Sequence, residues 1–104
     1  MREYIICSAI YYNDGIVHTH KPVNIDTGLV VAGRRHHDCY YILSVLLGDS
    51  YNKDCLSRDC QGFLTNTNRF VGRKEAFSIA RSASQLRLKY EWDENTILTS
   101  EDLY

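Results

Sequence analysis

Proline, methionine and tryptophan are almost missing from this chain, with one residue of each in 104. A single proline excludes a proline-rich linker or ligand tract. No internal repeat or low-complexity stretch interrupts the sequence, so one domain spanning residues 1–104 is expected. Long apolar runs are missing too. The longest, residues 40–47, contains Ser44 and falls far short of the roughly 20 residues that a membrane-spanning helix needs. Charge of either sign is not in excess: 12 Lys and Arg face 13 Asp and Glu, a formal net charge of −1. A protein that grips long nucleic acid through its backbone is usually basic, which argues against that class, whereas a small anion needs only a local basic pocket. The four cysteines, Cys7, Cys39, Cys55 and Cys60, form neither a CxxC pair nor a dense disulfide framework. Cys55 and Cys60 lie outside the usual zinc-ligand spacing, so neither a metal nor another cofactor is expected. The chain opens Met1-Arg2-Glu3 and runs straight into a strand-like segment, which predicts no secretory leader and reduced thiols.

What is present reads as an α+β domain. Residues 2–12 are rich in Ile, Tyr and Cys and suit a strand. Asn13-Asp14-Gly15 is a turn signal, with a return strand expected over Ile16, Val17 and His18. Residues 19–27 hold the proline and read as a loop or irregular edge. Residues 28–33, GLVVAG, suit a central strand. Cys39, Ile42, Leu43, Leu46 and Leu47 recur with helical period, and Gly48 supplies a stop. Residues 49–60 are polar and read as a loop or an interaction segment. Residues 86–92 continue a helix or form a short strand, Asp93-Glu94-Asn95 turns, and Ile97 and Leu98 belong to a last strand or packed arm, with Ser100 capping a final turn. Two helical periods set among short strand-like runs predict two helices packed on one face of a mostly antiparallel sheet.

The most informative stretch is residues 62–80, GFLTNTNRFVGRKEAFSIA. Gly62-Phe63-Leu64-Thr65 reads as one short strand and Arg69-Phe70-Val71 as a second extended run, with Asn66-Thr67-Asn68 as the turn between them. Gly72 is an acceptable N-cap for a helix whose apolar stripe is Ala76, Ile79, Ala80 and Ala83, and Glu75 complements its positive end. Helix N-termini attract anions. With Arg69 before this one, Arg73 in its first turn and Lys74 adding charge, phosphate binding is a candidate role, and Phe63 or Phe70 would offer a base a stacking face. The plain alternative is a solvated basic helix start packed on a strand pair. A second junction, Arg34-Arg35-His36-His37-Asp38, sits where the 28–33 strand meets the first helix. It is a further anion candidate, or else a surface cluster in which Asp38 complements the helix dipole.

Three segments, GRRHHDC, QGFLTNTNRFVGRKEAFSIA and LTSEDLY, resemble in order and separation the first type of Thoeris anti-defence nucleotide sponges, small phage proteins. The resemblance covers roughly residues 29–104. It implies a curved antiparallel sheet with two helices on one face, and dimers assembling into a hexamer. It also implies sequestration, without cleavage, of cyclic ADP-ribose isomers in the host bacterial cytoplasm, with cyclic oligonucleotides at a second site in some members. By position its pocket falls on Phe63, Asn68, Arg69 and Arg73, with Arg34, Arg35 and His36 as further candidates; Phe70 joins them from the residue pattern alone.

Two other classes fit parts of the pattern. A phosphodiesterase-like enzyme could use His36, His37 and Asp38 as acid and base, with Arg35 holding charge. The sequence carries no activated-nucleophile signature, and a sponge needs only binding groups, so no catalysis is expected. A module that blocks a host protein would draw on the eight tyrosines as interface anchors, although self-association uses them equally well.

Overall fold

A computed structural model describes residues 3–19, 21–56, 60–86 and 97–98. Strand β1 (Ile5–Tyr12) pairs antiparallel on one side with β2 (Leu29–Gly33) and on the other with β3 (Gln61–Thr65), which pairs in turn with β4 (Phe70–Gly72). The sheet order is β2-β1-β3-β4, all antiparallel. Helices α1 (His36–Leu47) and α2 (Arg73–Ser82) complete the α+β fold.

Period-two alternation explains why one face is covered by helices. Ser8, Ile10 and Tyr12 share a face with Val31, Phe63 and Val71 through the strand register. There α1 buries Cys39 and Leu43 against Ile10, Tyr12, Val31 and Cys60. On the same face α2 buries Ala76, Phe77 and Ala80 against Ile5, Phe63, Val71 and Leu98. Phe77, which the expected stripe omitted, is therefore a core residue. The opposite face is met by the 13–28 loop. Tyr11 donates its hydroxyl proton to the Thr27 carbonyl at 2.6 Å, and its ring lies 5.8 Å from that of Phe70. Asn24 then reaches the far edge of the sheet, accepting from Phe70 N–H at 2.9 Å and donating to Phe70 C=O at 2.6 Å.

Several expectations need correction. The turn at Asn13-Asp14-Gly15 forms, with Asn13 Oδ1 accepting from Gly15 N–H and Asp14 Oδ1 from Ile16 N–H, but no return strand follows. Ile16 and Val17 are 56% and 72% exposed, and the slot beside β1 belongs to β2. Gly28 lets the chain enter that strand. Its φ is +96°, and a Cβ there would stand 2.7 Å from the Tyr11 ring and 2.9 Å from the Tyr12 carbonyl. The 28–33 run is an edge strand among the described residues, not a central one. Leu46, counted in the α1 stripe, is 66% exposed. The loop after α1 contains two short 3-10 turns, Gly48–Ser50 and Lys53–Cys55. Of the two roles left open for Ile97 and Leu98, the packed arm is found: Leu98 is wholly buried and donates its N–H to the Arg73 carbonyl at 2.9 Å. Residues 87–95 and the cap at Ser100 lie outside the described residues.

Candidate functional site

The β3–β4 hairpin and α2 form as the sequence suggests, because Asn68 takes the left-handed conformation (φ 62°) that its turn requires. Gly72 then sits at the α2 N-cap in extended conformation (φ −69°, ψ 170°). Among the described residues no side chain caps this helix start, and a Cβ on Gly72 would meet none of their atoms within 4 Å. The first N–H groups of α2 consequently open onto a cleft of about 310 Å³ lined by Gln61, Gly72, Arg73, Lys74, Glu75 and Ile97. Among the described residues neither Arg73 nor Lys74 has an ion-pair partner.

The second junction abuts the same strand. His36 donates Nε2–H to the Gly62 carbonyl at 2.9 Å, and Gly62 is the register partner of Gly72. The starts of α1 and α2 thus both neighbour Gly62 of β3, one through the His36 imidazole and the other through strand pairing with Gly72. The α1 start is the more occupied of the two, since Asp38 in its first turn accepts the Arg35 N–H at 3.2 Å. Arg34 is exposed and Arg35 half-buried there. The His37 side chain is 83% exposed and pairs with its neighbour Asp38.

Arg69 is placed elsewhere. Its guanidinium grips Glu3 with two bonds of 2.9 Å and reaches Glu75 at 3.0 Å. Thr65 and Thr67 donate their hydroxyls to the same Glu3 carboxylate. These charge-assisted bonds, the arginine's foremost, hold Glu3 down to about 2, and Glu3 followed by Glu75 raises Arg69. The two arginines therefore do not share a pocket. Arg69 lines a separate cleft of about 410 Å³ with Glu3, Glu75, Ser78, Ile79 and Ser82, and Glu75 borders both.

The aromatic candidates are also spoken for. Phe63 is wholly buried, with the His36 ring edge-on to it at 5.2 Å and 79°. Phe70 is 9% exposed and lies over Gly62, where a Cβ would come within 2.6 Å of its ring. Asn68 is exposed, and its backbone carbonyl accepts from Val23 N–H. Of the eight candidates, Arg73 alone lines the open cleft; His36 approaches it through Gly62. Gln61 and Ile97 were missed as lining residues, whereas Lys74 lines the cleft as its place beside Arg73 suggested. Nothing local could reveal that Ile97 would return to α2.

Other reactive groups offer less. Burial pushes the Cys39 thiol up to about 11, which disfavours the reactive thiolate, and the thiol donates to the Ser8 and Arg35 carbonyls. Among the described residues no group of three or more His, Cys, Asp or Glu could hold a metal ion. No helix among them is long and apolar enough to cross a membrane.

A family model described as phage T4 y16D protein matches residues 4–104. No curated protein and no solved structure gives a significant match.

Proposed function

This chain belongs to the phage T4 y16D protein family, and from that premise we propose that it is a phage-encoded binding protein. It holds a small cyclic nucleotide signal of bacterial defence, of the cyclic ADP-ribose isomer class, and removes it from circulation in the host cytoplasm without cleaving it. The observation that carries this reading is the α2 start, uncapped among the described residues, whose N–H groups, Arg73 and Lys74 converge on one cleft with an apolar wall at Ile97. A pyrophosphate suits the helix end and the two cations. A ribose or base edge suits Gln61 and the Ile97 surface. The start of α1, tied to Gly62 through His36, brings a second helix N-terminus near β3.

Binding without chemistry also accords with the histidines. The His36 Nε2 proton is engaged by the Gly62 carbonyl, and His37 projects into solvent beside Asp38. Neither is poised against the α2 cleft as an acid or base. Arg69 supports the hairpin from behind, through Glu3 and Glu75.

Calorimetry with a cyclic ADP-ribose isomer tests the site. Losing one charge partner of a partly desolvated phosphate costs about 2–5 kcal/mol, so Arg73→Ala should weaken binding by roughly 30-fold or more. Lys53→Ala, on an exposed turn away from the cleft, should leave affinity near native. Native affinity in the Arg73 variant would place the ligand elsewhere, with the junction at Arg34, Arg35 and His36 next to be examined.

A further inference from the structure

The two helices begin alike in sequence and differently in space. Each carries an acid at its third residue, Asp38 in α1 and Glu75 in α2. From that position a carboxylate ordinarily folds back onto the N–H of the N-cap residue. Asp38 does so, accepting from Arg35 N–H at 3.2 Å. Glu75 does not. Its Oε2 accepts from the Arg69 guanidinium at 3.0 Å instead. Arg69 is itself fixed from the far side, where Nε and Nη2 grip both oxygens of Glu3 at 2.9 Å. The same Nη2 therefore holds Glu3 and Glu75 together.

The hairpin leaves the Gly72 N–H open to such a cap. Thr65 N–H donates to the Arg69 carbonyl, so in the alternating antiparallel ladder Phe63 pairs with Val71 through hydrogen bonds and Gly62 faces Gly72 without them. Gly72, like Phe70 two residues before it, turns its N–H away from β3. The Asn24 amide meets Phe70 there, but no side chain of the described residues meets Gly72. The vacant donor and the acid that suits it are three residues apart, and the bond from Arg69 keeps them separate.

Where the Glu75 carboxylate sits decides the charge of the α2 cleft, since Glu75 borders that cleft and the Arg69 cleft alike. Drawn to Arg69, it leaves Arg73 and Lys74 with no described carboxylate against them. Its side chain is 55% exposed, so it is free to swing once that bond is lost. Folded back, it would offset one of the two cations and take an N–H that an anion would otherwise take. We propose that Arg69 is a positioning residue for the α2 cleft: by drawing Glu75 aside it keeps the helix start open to a phosphate anion, and Glu75 is the competitor it restrains. This role rests on the binding reading given above and needs no contact between Arg69 and the ligand.

Calorimetric titration with inorganic pyrophosphate at low ionic strength tests it. Arg69→Ala releases Glu75 and should weaken binding roughly tenfold, the effect of a carboxylate a few ångströms from a phosphate at a partly screened site. Adding Glu75→Ala removes the competitor and should bring affinity back to within about threefold of wild type, a coupling that independent sites would not show. A direct contact from Arg69, or a general loosening, would leave the double variant as weak as the single one. Hydrogen exchange at the Gly72 amide follows the same event without a ligand. It should slow in Arg69→Ala, where Glu75 caps it, and recover in the double variant, whereas loosening would speed it in both. If Arg69→Ala failed to fold, Arg69→Gln, which keeps a donor for Glu3, would take its place. Unchanged affinity in the single variant, or no recovery in the double, overturns the proposal. A wild type that binds no pyrophosphate would refute the reading of the cleft; Gly72 exchange would then decide the role of Arg69, and exchange that fails to slow in Arg69→Ala would overturn that too.

Discussion

Replacing Arg69 by alanine separates the structure from the reading that residue types alone suggested. Were Arg69 a ligand contact, its loss would weaken binding and leave stability untouched. In the structure it instead ties residue 3 to the β3–β4 turn and to α2, through two bonds to Glu3 and one to Glu75. Its side chain is 34% exposed and that of Glu3 23%, so the pair lies between a surface bridge worth about 0–1 kcal/mol and a buried one whose breakage costs about 3–5. A loss of about 1–2 kcal/mol is expected, read as the shift of a denaturant midpoint at unchanged slope. The pH dependence supplies a second signature. Glu3 titrates at about 2 when folded, against 4.5 unperturbed. A depressed carboxylate contributes stability that is complete above the unfolded value and lost as pH falls through the folded one. The gap between wild type and Arg69→Ala should therefore be full at neutral pH, shrink below about 4.5 and close near 2. A variant as stable as wild type at pH 7, or a gap that ignores pH, would refute the clamp.

Two further substitutions probe the frame around the cleft. Gly62→Ala would bring a Cβ to within 2.3 Å of the Val71 carbonyl and 2.6 Å of the Phe70 ring, so thermal unfolding should show a loss of at least about 1–3 kcal/mol, and an unchanged melting temperature would contradict the packing. Asn24→Ala strips both partners from the Phe70 backbone, so hydrogen exchange at the Phe70 amide should accelerate and stability fall by about 1–2 kcal/mol, with unaltered exchange counting against the edge cover.

Local chemistry made much of the fold legible. The Asn66–Asn68 turn, the Gly72 start and the Gly48 stop were readable because each depends on residues within a few positions. The pairings that assign roles were not. Arg69 and Glu3 are 66 positions apart, and no periodicity announces that a carboxylate from the first turn of chain will claim the arginine. Phe63 looked available for stacking because alternation shows that a strand has two faces without showing which one is covered. The 13–28 loop misled for a related reason. Its turn chemistry is sound, but a return strand needs a free neighbour, and β2 takes that place beside β1. Arg73 kept its predicted position because a first-turn residue is fixed by the helix start itself.

Whether the protein holds its ligand or consumes it is decided by recovery. The protein is incubated with a cyclic ADP-ribose isomer, freed of excess ligand by gel filtration and heat-denatured, and the released nucleotide is identified by liquid chromatography. Sequestration predicts that the cyclic nucleotide co-elutes with the protein and returns chemically unchanged. Return of linear ADP-ribose would make the protein a hydrolase, and no co-eluting nucleotide would contradict the binding site at the α2 start.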